Sequence, residues 1–187
     1  MVSFVLFLTK EVYFWRESVM DSPIFLTFAG QIEKYNSAMI ENVTFRHSMP
    51  AQIRFSDVDQ FGHVNNSVYF SLYDLAKTTY VKDVLSGRMK WNEVGIVVAN
   101  ISANFMSPIF FMDNVNIETT TVELGNKSFT LLQRAIDPET KTVKCECRTV
   151  MVVYDLKAQT PMQIPEDYKL AICEYEGRTP EELGKKK

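Results

Sequence analysis

The chain reads as an α+β fold, and three observations carry that reading. One long stretch, residues 66–85, repeats its apolar residues at three- and four-residue spacing, the period of a helix. The segments that follow it, to residue 156, alternate as strands separated by turn residues. Those strands succeed one another without intervening helices, which favours hairpins over a parallel sheet of βαβ units. The expected architecture is one long helix packed on a single antiparallel sheet of about five strands.

The elements follow in chain order. MVSFVLFL opens the sequence, and Lys10 and Glu11 end its apolar run. The run lacks the basic start and small-residue cleavage site of a secretory signal. No stretch reaches the roughly 18 uncharged apolar residues of a membrane span. Further apolar patches (Tyr13 to Trp15, Ile24 to Phe28) show no clean period, and Met20 and Met39 are alternative starts. Residues 1–40 are therefore expected to be an N-terminal extension, 41–177 the folded domain and 178–187 a polar tail.

Residues 43–56 read as extended, with Pro50 implying an edge position or a bulge. The polar loop DVDQFGHVNN follows. In the next segment Val68, Tyr69, Leu72, Tyr73, Ala76, Tyr80 and Val84 mark a helix over 66–85, roughly 30 Å long. Asn65 or Asn66 suits its N-cap, and Ser86-Gly87 its stop. GIVVANISANFMSP, VNIETTTVEL, SFTLLQRAI and TVKCECRTVMVVYDL are the later strands. Asp137-Pro138-Glu139-Thr140 is expected to turn between the last two. A short helix is expected from Glu166 to Tyr175. A run as apolar as Val150 to Val153 calls for cover on both faces of the sheet, which one helix cannot give and a partner subunit can.

Several function classes drop out. With 187 residues, 46% hydrophobic and a net charge of -3, the chain is about one domain and has no strong basic field for nucleic acid. Its two histidines and seven glycines form no G-x-S-x-G elbow, phosphate-binding loop or H-E-x-x-H pair. Cys145, Cys147 and Cys173 are too few and wrongly spaced for a zinc ribbon or disulfide framework, and read as small buried hydrophobes in a reducing cytoplasm.

What remains is the segment from Arg54 to Tyr69, RFSDVDQFGHVNNSVY. It sets carboxylates, a histidine and two carboxamides against the start of the main helix. A helix start offers unpaired N–H groups and the positive end of the dipole, so a carbonyl docked there is polarised. A neighbouring carboxylate can activate water or attack directly. Together these suit acyl transfer at an activated carbonyl. Turn capping is the competing role for Asp57 and Asp59, helix capping for Asn65 and Asn66, and backbone bonding for His63. Arg134, Lys144 and Arg148 read first as solvated strand-face charges.

DxDxxGHVNNxxY before an aromatic-rich helix resembles the signature of hotdog-fold acyl-CoA thioesterases of the 4-hydroxybenzoyl-CoA thioesterase type. It is also similar to the DxDxNxHVNN run of acyl-ACP thioesterases. The resemblance covers residues 43–176 in element order, and its specific part is the sixteen-residue motif. It implies a hotdog domain that hydrolyses acyl-CoA or acyl-ACP without cofactor or metal. Asp59 then corresponds to the catalytic carboxylate, and the Asn66 backbone N–H to the group that polarises the thioester carbonyl. His63 joins them as a catalytic residue, and Asn65, Phe61, Tyr69 and Tyr73 line the substrate site. Phe61 departs from the acyl-ACP type, which has a catalytic asparagine there, and this favours an aspartate-centred mechanism. The resemblance further implies a cytoplasmic homodimer or homotetramer with sites near the subunit interface. Arg134, Lys144 and Arg148 become candidates for the coenzyme A phosphates. A non-catalytic acyl-thioester binder and a hotdog dehydratase are the rival readings, the second without the motif it requires.

Overall fold

A computed structural model describes residues 43–184; the expected extension over 1–40 lies outside the described residues. Strand β1 (His47–Ala51) is followed by a 3-10 turn (Phe55–Asp57) and helix α1 (Asn66–Leu85). Then come β2 (Val94–Phe105), β3 (Val115–Leu124), β4 (Ser128–Ile136), β5 (Val143–Asp155), the two-residue β6 (Thr160–Pro161) and helix α2 (Glu166–Glu176). All pairings are antiparallel, in the order β1-β3-β4-β5-β2, with β6 added to β5. The α+β arrangement expected from the sequence is the one found, with β6 as a short sixth strand.

The extended segment expected over 43–56 pairs only over its middle. Ala51 lies opposite Val115, the first residue of β3, so the chain beyond it has no neighbour and turns at Phe55–Asp57. Pro50 sits in this strand, which pairs on one side only, where a missing N–H costs no ladder bond. Asp137 closes the β4–β5 hairpin by accepting from the N–H groups of Glu139 and Thr140, at 2.8 and 3.1 Å.

Helix α1 forms where expected because its buried residues, Tyr69, Tyr73, Ala76, Tyr80 and Val84, recur along one face. Asn65 is the N-cap, its Oδ1 accepting from Ser67 N–H at 3.0 Å. The helix ends as Ser86 and Gly87 take left-handed conformations, φ 30° and 82°. Below it the sheet offers Phe129, Leu131, Met151 and Val153 to the C-terminal half, and Ile117, Ala135, Cys145 and Cys147 to the N-terminal half. Each large side chain buried this way contributes about 1.5–3 kcal/mol. Polar ties also fix how the helix lies on the sheet. Tyr73 Oη donates to Cys145 O at 2.9 Å, and Gln133 Nε2 donates to Tyr73 O at 3.0 Å.

Cys145 and Cys147 face the helix together, fully buried, and Cys173 is buried within α2; all three are free. Burial pushes the Cys145 thiol up to about 12 and raises Cys147 as well, so both are inert hydrophobes. Met151 and Val153 point to the helix and are buried, whereas Val150 and Val152 on the opposite face are only half-buried. No helix of the described residues is long and apolar enough to cross a membrane.

Candidate active site

The motif folds into a closed loop at the N-terminal end of α1. Asp59 N–H donates to His63 O at 3.1 Å and Gly62 N–H to Asp59 O at 3.0 Å, so the chain reverses within five residues. Gly62 sits at φ 80°, where a side chain would strain the turn. An isolated bridge between Val58 and Val64 closes the loop's base. Val64 is buried and donates from its N–H to Ile109 O at 2.8 Å, anchoring the loop to the segment before β3.

This geometry gives the half-buried Asp59 carboxylate two holders. Oδ1 accepts from Phe61 N–H at 2.8 Å, and Oδ2 accepts from Asn65 Nδ2 at 3.4 Å. Asn65 is thus shared: its oxygen caps the helix and its nitrogen holds the carboxylate. A carboxylate has about four lone-pair sites, so these two bonds leave both oxygens able to meet a water or substrate. Asn66 follows as the first helical residue, exposed, with a backbone N–H that no intrahelical carbonyl can reach. A carboxylate and an unpaired helix-start N–H therefore lie on either side of Asn65.

The other expected site residues divide. His63 is part-buried, its Nδ1 3.3 Å from Val64 O, and its ring stacks with that of Phe61 at 6.2 Å between centroids. Phe61 itself is 56% exposed. Tyr69 lies in the first turns of α1, 3% exposed, edge-to-face with Phe105 at 5.1 Å. Tyr73 is a turn deeper, 1% exposed, its hydroxyl held by Cys145 O, so it belongs to the core under the helix. Asp57 turns inward to the backbone, its Oδ2 accepting from Arg54 N–H at 2.7 Å, which is the capping role. The three candidates for coenzyme A phosphates already have carboxylate partners. Arg134 pairs with Glu118 at 2.6 Å, Arg148 with Glu123 at 3.2 Å and Lys144 with Asp113 at 3.6 Å.

Sequence reasoning missed the second loop at this site. Residues 106–113 lead from β2 towards β3, and Asp113 N–H donates to Phe110 O at 3.0 Å while its Oδ2 accepts from Phe110 N–H at 3.0 Å. That tight turn holds Phe111 and Met112 outward. The ring of Phe111 meets Phe55 edge-to-face at 5.7 Å. The Phe110-Phe111-Met112 run, apolar residues inside a turn, was the available signal.

No curated protein sequence matches the chain. Solved structures do. A thioesterase from Thermus thermophilus, complexed with coenzyme A and Zn, is 27% identical with a TM-score of 0.63, over 72% of this chain and 97% of that one. A 1,4-dihydroxy-2-naphthoyl-CoA thioesterase from Synechocystis is 16% identical with a TM-score of 0.60, over 68% and 95%. A hypothetical protein from Staphylococcus aureus, in complex with CoA, is 14% identical with a TM-score of 0.65, over 79% and 98%. These likenesses make the sheet wrapped on α1 a hotdog fold. Residues 53–172, which contain the motif loop, α1 and all the strands after it, match the family model of the thioesterase-like superfamily, and the chain belongs to that family.

Proposed function

We propose that this chain hydrolyses acyl-CoA thioesters, as the 4-hydroxybenzoyl-CoA thioesterase type does, with Asp59 as general base or nucleophile. The observation that carries the reading is the Asp59–Asn65–Asn66 arrangement: a carboxylate held at 3.4 Å by the helix cap, beside the first unpaired N–H of α1. The thioester carbonyl oxygen sits at the Asn66 N–H, where the helix dipole and the donor stabilise the charge that develops on it. As base, Asp59 takes a proton from water while the water oxygen bonds to the carbonyl carbon. The C–S bond then breaks, and the thiolate leaves with the proton that Asp59 returns. As nucleophile, Asp59 displaces the thiolate itself and water cleaves the resulting anhydride. His63, stacked on Phe61, orients the water or the carboxylate, and Tyr69 and Phe61 border the acyl group.

The three free buried cysteines fit a reducing compartment, in keeping with a cytoplasmic enzyme. Strand β2 supports a homodimer, because it is a long, uncharged outer strand with apolar residues exposed. The test is Asp59→Asn, assayed by thiol release from a panel of acyl-CoAs. The expected kcat loss is at least about a hundredfold with an unchanged melting temperature. Full kcat in a folded variant removes Asp59 from the mechanism. Stabilisation of the wild type by acyl-CoA with no turnover at any chain length makes the protein a binder instead. A marked preference for acyl-ACP makes the carrier protein the substrate.

A further inference from the structure

Phe55 is 82% exposed and Met112 86%, and Phe111, 40% exposed, meets Phe55 at an interplanar angle of 89°. Single exposed apolar residues are ordinary, but two rings held edge-to-face in solvent, one of them four positions before Asp59, are not. Both rings are rigidly mounted. Phe55 begins the 3-10 turn, fixed by Asp57 N–H donating to Arg54 O at 3.0 Å and by Asn65 N–H donating to Asp57 O at 2.9 Å. Phe111 is fixed by the reciprocal Phe110–Asp113 bonds. The corner is thus built into the two loops that are anchored to each other at Val64 and Ile109.

Arg54 stands next to this corner. Its side chain is exposed and, among the described residues, has no carboxylate partner, in contrast to Arg134, Lys144 and Arg148. The nearby acids are otherwise engaged: Asp57 on the Arg54 backbone, Asp113 on Lys144, and Asp59 on Phe61 and Asn65. An aromatic corner with an unpaired guanidinium is complementary to a planar base carrying phosphates. The base stacks on one ring and meets the other's edge, while Arg54 pairs with phosphate oxygens. Phe55 lies four positions before Asp59, at most about 14 Å of chain, a span the extended pantetheine arm covers.

We propose that Phe55, Phe111 and Arg54 form the seat for the adenine-nucleotide end of coenzyme A, which makes the chain selective for CoA over carrier-protein thioesters. This rests on the thioesterase reading for its substrate but not for its test. A protein-bound phosphopantetheine has no adenine to stack, so only CoA gains from the corner.

The experiment compares Phe55→Ala, Phe111→Ala and Arg54→Gln with the wild type on one acyl group carried by coenzyme A, by pantetheine and by acyl carrier protein. Binding of ADP, the nucleotide core of coenzyme A, is measured alongside by calorimetry. The expected result is a KM for acyl-CoA raised about tenfold in each variant, with kcat kept and the pantetheine thioester unaffected. ADP affinity falls in parallel, a readout that holds even if no thioester is hydrolysed. Equal losses on the CoA and pantetheine thioesters overturn the proposal and make the corner part of the acyl site. A KM raised only for acyl carrier protein also overturns it, as does wild-type ADP binding that the variants leave unchanged or no wild-type ADP binding at all.

Discussion

Gly177 shows how a single backbone position holds two distant parts of the chain together. It ends α2 at φ 62°, and Arg46, from the segment before β1, lies over it and donates from Nη1 to Tyr175 O at 3.2 Å. A Cβ at this position would overlap the Arg46 guanidinium. Gly87 has a similar φ of 82°, but open space surrounds it. Alanine at either site therefore meets the left-handed backbone penalty, and only at Gly177 does it also displace Arg46. In urea titrations Gly87→Ala is expected to cost about 1 kcal/mol and Gly177→Ala about 1 kcal/mol more, the worth of the Arg46 hydrogen bond. Equal losses in the two variants would show that Arg46 does nothing there. None of this was legible in the sequence, because Arg46 and Gly177 meet only through the fold. Asp59, Asn65 and Asn66 were legible because a seven-residue loop and a cap are local, and local spacing dictates them. The Phe55–Phe111 corner stayed hidden for the same reason as Arg46: its rings come from separate loops.

Strand β1 contributes one buried histidine whose surroundings come from three elements. His47 is 5% exposed, opposite Thr119 of β3, and its ring meets Tyr80 of α1 edge-to-face at 5.7 Å. Its Nε2 is 3.7 Å from the half-exposed Asp83 carboxylate, and its buried Nδ1 has no hydrogen-bond partner among the described residues. From α2, Glu176 is 2% exposed and accepts from Tyr80 Oη at 2.5 Å, Thr120 Oγ1 at 2.7 Å and Thr121 N–H at 2.9 Å. Burial lowers the His47 pKa below its ordinary 6.5, more than Asp83 and then Glu176 raise it. The folded state therefore prefers the neutral ring, while the unfolded chain takes up a proton near 6.5. The stability this contributes is fully present above about pH 6.5 and is lost as the pH falls through the lower folded value. The melting temperature should thus drop between pH 7 and 5.5, and His47→Phe should flatten that drop while keeping the edge contact with Tyr80. An identical slope in the variant would assign the acid sensitivity to another group. The edge position of β1 followed from Pro50, but its role as the wall of a buried polar cluster required α2, which the sequence places far away.

For the molecule as a whole, the unfinished part is the outer strand β2. It pairs with β5 on one side only, and its twelve residues, VGIVVANISANF, carry no charge and no proline. An outer strand without such protection is a template for pairing with another chain. Ile96, Val98, Ile101, Ala103 and Phe105 lie opposite the helix-facing residues of β5, so they point to the α1 side of the sheet. Yet Val98, Ile101 and Phe105 remain 43%, 41% and 38% exposed, because α1 covers the central strands and stops short of this one. A second copy pairing β2 with β2 antiparallel would supply the missing ladder, extend the sheet and bring its own helix over these side chains. Such a pairing would also bear on the candidate site, since Phe105 packs on Tyr69 in the first turns of α1, next to Asn66. Ile101→Asp places a charge in the middle of that interface without touching the Asp59 loop. Light scattering after gel filtration should find the wild type at twice the mass of one chain or a multiple of it, and Ile101→Asp at the mass of one. Thioester hydrolysis should fall with dimer content across a dilution series, because the strand that braces Tyr69 is then left open. A wild type that runs as a single chain, or a monomeric variant with full activity, would sever assembly from the site.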